Sequence, residues 1–334
     1  MSALALLMLL ILLAAAYDIV NGFHDGANVV ATMIASRAVS ARAALLIAAA
    51  GSLAGPFVLG VAVAQTIGSE VLLPQAITIA VAFAALGAAT LWSLAAWYAS
   101  VPVSSSHALV GGLLGAGWHE GGAAAVQMTG VAKVAVALIV SPALGFVAAL
   151  GVMHLTLWAL RHATPRANVM LSRSQVVTSA ILAMANGGND AQKTVGVISL
   201  GLLLLGFTQA FIVPWWAIAF SASMLALGTV VGGERVARTL GTRFYRLRPI
   251  HGFVSQASSA AVIIGASLAG GPVSSTQVVS LSIVGAGAAE RRSKVRWALL
   301  GDIAWAWILT VPASALIAMP LHAAIAALLR RAGA

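Results

Sequence analysis

Apolar segments recur along this chain from end to end, each near the ~20 residues a helix needs to cross a bilayer. The first, MSALALLMLLILLAAAYDIV over residues 1–20, carries one charged side chain, Asp18. Only 8% of the 334 residues are charged, with 61% hydrophobic, whereas soluble domains carry about 25% charged residues. The expected fold class is therefore all-α and integral to the membrane. Pro and Gly interrupt several runs, which spanning bundles tolerate where neighbouring helices or cavities satisfy the freed backbone groups. The first run lacks a basic lead-in and a small-residue cleavage site, so it reads as a retained span, not a signal peptide. The chain has no cysteine, which removes disulfide and thiolate–metal chemistry. A net charge of +10 raises the question of nucleic acid. The basic residues instead sit in short loops between apolar runs, the positive-inside pattern of a bilayer protein.

The acidic residues separate into two sets. Glu70, Glu120, Glu234 and Glu290 fall in predicted loops, and solvation explains them. Asp18, Asp25, Asp190 and Asp302 fall within or beside apolar runs. Carboxylates there are costly and mark functional sites by default.

The sequence also repeats. NGFHDGAN (21–28) matches NGGNDAQK (186–193), aligning Asp25 with Asp190 at an offset of 165. PVSSSHALVGGLLGAG (102–117) matches PVSSTQVVSLSIVGAG (272–287) at an offset of 170, and Pro142-Ala143 matches Pro312-Ala313 at the same offset. Residues 1–160 and 174–334 then form two repeats, joined by a basic linker over 161–173 that holds Arg161, Arg166 and Arg173. Loop charge changes sides between the halves. The loops near 66–74 and 118–127 lack Lys and Arg, while their counterparts carry Arg235, Arg238, Arg243, Arg246 and Arg248, then Arg291, Arg292, Lys294 and Arg296. Conversely, the loop with Arg37 and Arg42 is basic and its counterpart near 205–208 is not. An odd number of crossings per half accounts for this, so the repeats have inverted topology. About 10–12 membrane segments are expected at bilayer-spanning lengths, some broken or re-entrant. A final apolar run near 314–329 is read as one extra crossing, placing the N-terminus outside and the C-terminus inside. The segments 75–118 and 251–288 each fit either two full spans or a hairpin. Inverted repeats with broken helices are a secondary-transporter signature, with binding sites near the midplane.

Two constellations carry chemistry. In the first, Asp25 and Asp190 lie on matched segments and Asn28 shares a helical face with Asp25. Hard oxygen ligands of this kind suit a small cation or a proton, and the competing reading is a pair of Asp caps at helix breaks after Gly22 and Gly187. Asn28 corresponds to Lys193 and His24 to Asn189. Lys193 can neutralise Asp190, bind an anion, or stand where a cation would otherwise sit. His24 is able to titrate near neutral pH. In the second constellation, Ser104, Ser105 and Ser106, then Ser274, Ser275 and Thr276, follow a Pro-Val and open an apolar helix. Free N–H groups and the dipole at a helix start favour an anion. Two such ends facing each other would cage a tetrahedral oxyanion. The competing reading is ordinary Ser caps or small residues at helix contacts.

NGFHDGANVVAT, NGGNDAQKTVG and the two PVSS[ST] segments resemble the PiT family of inorganic phosphate transporters, and the likeness spans both halves. It implies cation-coupled phosphate uptake across a plasma membrane, with no cofactor and no enzymatic activity. By that resemblance Asp25, Asn28, Asp190, Asn189 and His24 belong to cation or proton coupling. Ser104, Ser105, Ser106, Ser274, Ser275, Thr276 and Lys193 belong to phosphate binding, and Asp25 and Asp190 are candidate metal ligands. His24 and Lys193 are similar to the bacterial proton-coupled branch, where phosphate can travel with a divalent metal, so the coupling cation is H+ or Na+. The expected partners are phosphate, the coupling cation and the lipid bilayer, with a homodimer as a candidate assembly and no nucleic acid. The alternatives are a sulfate or other oxyanion permease on the same scaffold, a channel, and an intramembrane hydrolase using Ser106 with His107 and Asp25. For that last reading, adjacency in sequence does not aim His107 at Ser106.

Overall fold

The computed structural model describes the chain except residues 37, 100, 102, 244–247, 292, 294, 296, 333 and 334, and the side chains of 27, 233–243, 298, 299, 302 and 303. Arg37, Pro102, Arg246, Arg292, Lys294 and Arg296, and the side chains of Glu234, Arg235, Arg238, Arg243 and Asp302, all invoked above, lie outside the described residues.

Helices form nearly the whole chain. In order they are α1 (Ala3–Ala35), α2 (Ala41–Leu59), the short α3 (Ala62–Gln65), α4 (Ile79–Tyr98), α5 (Ser105–Gly121), α6 (Met128–Ala159), α7 (Arg166–Leu204), α8 (Trp215–Arg243), α9 (Pro249–Leu268), α10 (Ser275–Glu290) and α11 (Trp297–Arg331). Local sequence sets several starts. Ser2, Ser40, Thr78, Ser104 and Ser274 each cap the helix that follows, accepting a first-turn N–H, which satisfies one of the orphan donors there. Among the described residues, six helices are long and apolar enough to cross a membrane: α1, α2, α4, α6, residues 215–232 of α8 and residues 304–331 of α11. Their apolar side chains, such as Leu12, Ile139 and Leu316, are exposed, as a lipid-facing surface requires. α7 falls outside this set because its central stretch, Asn186–Thr194, is rich in polar side chains, and these are buried inside the protein.

α5 has 17 residues and α10 has 16. At 1.5 Å per residue they are about 25 Å long, short of the ~30 Å hydrocarbon core. Each follows its partner, α4 or α9, through a non-helical connection whose last residues are buried: Val103 and Ser104, then Val273 and Ser274. Tyr17 of α1 donates to Ser105 O at 3.0 Å, so the first connection ends inside the bundle. Both pairs are hairpins with buried tips. Irregular backbone at that depth is tolerated only where protein or a cavity surrounds it. The second tip turns at Gly270, with φ of 73°, a conformation glycine adopts without a Cβ clash.

The packing maps onto itself when α1, α2, α4, α5 and α6 are exchanged with α7, α8, α9, α10 and α11. α1 packs on α8 as α7 packs on α2, α5 on α11 as α10 on α6, and α4 on α11 as α9 on α6. The matched glycines of the first motif have a role in this. A Cβ at Gly22 would strike the α8 backbone at Leu225, and one at Gly187 would strike the α2 backbone at Ser52. They permit close crossings, as small residues do in membrane bundles. Neither breaks its helix, since α1 and α7 run on through them. Asp25 and Asp190 are therefore mid-helix residues, not caps.

α6 ends at Ala159 and α7 begins at Arg166, so most of the basic linker 161–173 belongs to α7. One expectation changes. The termini lie together, because the Met1 amino group donates to Ala332 O at 2.9 Å. The expectation of opposite faces fails because α11 is one helix of 35 residues through Pro312 and Pro320. The run near 314–329 is its second part, not an extra crossing.

Candidate functional site

The two hairpin tips meet between the middles of α1 and α7, where Asp25, Asn28, Asp190 and Lys193 are all buried. Asp25 binds both tips. Its Oδ2 accepts from Ser105 Oγ of the first tip at 2.8 Å, and its Oδ1 accepts a short bond from Thr276 Oγ1 of the second. Asn28, one turn on, donates to Thr276 Oγ1 at 2.9 Å and to Asp25 Oδ1 at 3.3 Å. Lys193 makes the matching connection from the other half. Its Nζ is ion-paired with Asp190 Oδ1, donates to Ser106 Oγ at 2.5 Å and reaches Val273 O at 3.3 Å. Ser106 Oγ closes the circuit by donating to Val273 O at 2.6 Å. Each long helix thus holds one residue that touches both tips, which is how a sequence motif separated by 165 residues becomes one site.

The residues of each tip divide by task. Ser104 Oγ is a cap, accepting from His107 N at 3.2 Å, and it also lies 2.6 Å from His107 Nδ1. Ser274 Oγ caps α10, accepting from Gln277 N at 3.4 Å. The capping reading therefore holds for the first serine of each tip. The hydroxyls that follow face the centre. The Ser275 hydroxyl lies beside the Asp190 carboxylate, and both are buried. Helix geometry also leaves the first-turn N–H groups of both short helices without intrahelical acceptors.

Two residues grouped with the cation motif stand elsewhere. His24 Nε2 lies 3.0 Å from Ser93 O of α4. Asn189 Nδ2 donates to Ser267 Oγ at 2.8 Å and Gly271 O at 3.3 Å, while its Oδ1 accepts from Val273 N at 3.2 Å. Both brace a hairpin against a long helix at matched positions. Sequence reasoning did not place the Val273 carbonyl at the centre, nor the partners of Asp18, which are described below.

A protein-family model described as "Phosphate transporter family" matches residues 21–318. The chain belongs to that family. Over 317 residues it is 39% identical to a probable low-affinity inorganic phosphate transporter of Rhizobium meliloti, covering 94% of this chain and 95% of the relative. Over 316 residues it is 35% identical to a relative of the same description from Bacillus subtilis, covering 93% and 95%. A solved structure titled "The sodium-dependent phosphate transporter" superposes with a TM-score of 0.91 at 22% identity, covering 96% of this chain and 99% of that one. That likeness shows the all-α membrane fold. This family member is a phosphate transporter and not an enzyme. The His107 ring engages its own cap Ser104, and Ser106 donates to Val273 O.

Proposed function

We propose that this transporter is a secondary symporter, moving inorganic phosphate together with a coupling cation across the plasma membrane by alternating access. The observation that carries this reading is the convergence of both hairpin tips on Asp25 and Lys193. A site held equally by two exchangeable halves can be opened from either side, as transporters built on inverted repeats require. Residues 1–160 and 174–334 are the two halves. Phosphate takes the donors that the two tips and α7 present: the hydroxyls of Ser105, Ser106, Ser275 and Thr276, the free N–H groups behind them, and the Lys193 ammonium. Charge-assisted bonds of this kind are the strong ones. Ser104 and Ser274 contribute by fixing the helix starts that aim those donors.

Asp25 is the coupling group. It is satisfied by neutral donors alone, so its charge is free to be matched by an incoming proton or cation. Asn28 orients it. Asp190 already has Lys193, a fixed cation, which favours a proton over sodium as the coupling ion. A divalent metal travelling with phosphate would meet Asp25 and the Oδ2 of Asp190. Arg42, Arg161, Arg166 and Arg248 lie at or next to helix ends away from the face where the termini meet, against Arg330 and Arg331 beside the C-terminus. By the positive-inside rule this majority favours both termini being outside.

The test is uptake of radiolabelled phosphate into proteoliposomes under imposed proton or sodium gradients, with sulfate as competitor. Concentrative uptake driven by a pH gradient and resistant to sulfate is expected. Equal flux with no gradient dependence would refute symport.

A further inference from the structure

A third buried carboxylate stands apart from the phosphate cage. Asp18, on α1, is two turns before Asp25, or about 10 Å along the helix. It is fully buried, as are both of its partners. Its Oδ1 accepts from Thr194 Oγ1 of α7 at 2.5 Å and its Oδ2 from Ser221 Oγ of α8 at 2.7 Å. Ser221 Oγ also lies 3.2 Å from Ala191 O. The groups that face Asp18 electrostatically are Asp190 and Lys193 from α7 and Tyr17 from its own helix, and residues 215–232 of α8 contain no ionisable side chain. No basic residue is bonded to it among the described contacts.

Counting charge sharpens the point. Among the described residues, and leaving the histidines and Tyr17 aside, the buried ionisable acids and bases of the bundle are Asp18, Asp25, Asp190 and Lys193. Lys193 is paired with Asp190. Two carboxylates remain with hydroxyl or amide donors only, inside a bilayer-spanning bundle where an uncompensated charge is expensive. One of them, Asp25, belongs to the cage. The other cannot be explained by the repeat, because the position matched to Asp18 at the same offset of 165 is Ala183.

We propose that Asp18, with Thr194 and Ser221, is a second proton-carrying site, so that each phosphate crosses with one more proton than the cage alone would bind. The site takes a proton and not a dehydrated metal ion, because both hydroxyl oxygens are in direct hydrogen-bond contact with the carboxylate. The step is a simple transfer: the carboxylate gains a proton from the outer medium and releases it to the inner one, and the hydroxyl facing the protonated oxygen turns from donor to acceptor and back while the other goes on donating. The site joins α1, α7 and α8, helices of both halves, so a change in how the halves pack changes its access to water. This inference rests on the coupled-uptake reading.

The experiment measures steady-state phosphate accumulation against imposed pH gradient in proteoliposomes at fixed membrane potential, beside phosphate–phosphate exchange without a gradient. Asp18→Asn keeps the size of the side chain and one acceptor. It is expected to retain exchange near the parent rate while the slope of log accumulation against pH difference falls by one proton per phosphate. Ser221→Ala keeps the carboxylate, so the slope stays. Loss of a hydrogen bond to a charged group, at 1.5–3 kcal/mol, moves the pH of half-maximal uptake up by at least about one unit. An unchanged slope in Asp18→Asn overturns the proposal. So does loss of exchange together with accumulation in a folded Asp18→Asn protein, because Asp18 is then a clamp between helices. Loss of sodium stimulation in place of proton stimulation overturns the assignment to a proton. A parent protein that ignores the pH gradient overturns the coupled-uptake reading itself, which distinguishes the two failures.

Discussion

The two halves of the molecule place the same acid at matched positions and surround it differently. In the first half, Asp25 is held by Ser105, Thr276 and Asn28, all neutral. In the second, Asp190 is ion-paired with Lys193, which stands in the place of Asn28. The frame around them is nearly the same: a long helix, a braced hairpin, a capped short helix. What differs is whether the compensating charge can leave. A carboxylate satisfied by neutral donors can exchange a proton or ion during a transport cycle. A carboxylate locked to a lysine in the same helix cannot do so without stranding the lysine. On the proposed reading, the exchange of Asn28 for Lys193 between the matched motifs leaves Asp25 as the coupling group and ties Asp190 to the anion cage.

The largest expected effect comes from removing the exchangeable charge. Asp25→Asn should abolish phosphate accumulation driven by a pH gradient while the protein still inserts and folds, measured by uptake and by size-exclusion elution. Asp190→Asn should also stop accumulation, with an added penalty the first variant lacks. It leaves Lys193 buried and unpaired, and breaking a buried pair costs about 3–5 kcal/mol, so its thermal midpoint should fall well below that of Asp25→Asn. Equal midpoints would erase the distinction between the halves.

Lys193→Asn makes the second half resemble the first. It removes the fixed cation and leaves a carboxylate beside a neutral amide, the arrangement at Asp25 and Asn28. Sodium should now stimulate uptake in the variant and not in the parent, as an assay with sodium replaced by choline would reveal. Unchanged ion dependence and rate would mean that Lys193 does not stand in for a cation.

The smallest effects separate the two braces. Asn189 makes three hydrogen bonds to the second hairpin, whereas His24 makes one contact with the first. Asn189→Ala should destabilise by about 1–3 kcal/mol because it strands buried partners, and His24→Gln by about 0.5–1.5 kcal/mol. Both should show in thermal unfolding with little change in which ion drives uptake. A shift in coupling ion in either variant would return that residue to the coupling group.

Repetition made the site legible in the sequence. A lone Ser-Ser-Ser run reads as a cap, and Ser104 is one, but the same run after Pro-Val in both halves pointed to paired helix starts. Asp25, Asp190 and Lys193 stood out because charge within an apolar run is costly. Other features left no such mark. The partners of Asp18 are single hydroxyls, 176 and 203 residues away, and nothing local sets Thr194 or Ser221 apart from other hydroxyls in membrane helices. Asn189 looked like part of a cation motif by alignment, and only the course of the second tip shows its amide engaged by that backbone. The side on which the C-terminus lies was lost because the run near 314–329 was read as a separate crossing, whereas it continues the helix that begins at Trp297, through Pro312 and Pro320. Neighbouring helices supply that continuity, which sequence pattern does not encode.

The central claim is that both hairpin tips grip one phosphate, and it is tested most directly by phosphate affinity in Ser105→Ala and Ser275→Ala. The two hydroxyls are in different circumstances in this structure. Ser105 Oγ donates to Asp25, while Ser275 Oγ is buried beside Asp190. If each turns to the anion, each substitution removes one bond to a charged group, worth roughly 1.5–3 kcal/mol, and about 1.4 kcal/mol is tenfold in affinity. Equilibrium binding of radiolabelled phosphate to the purified protein should weaken at least about tenfold in each variant, with residual binding through backbone N–H groups. Parental affinity in both variants would contradict the cage.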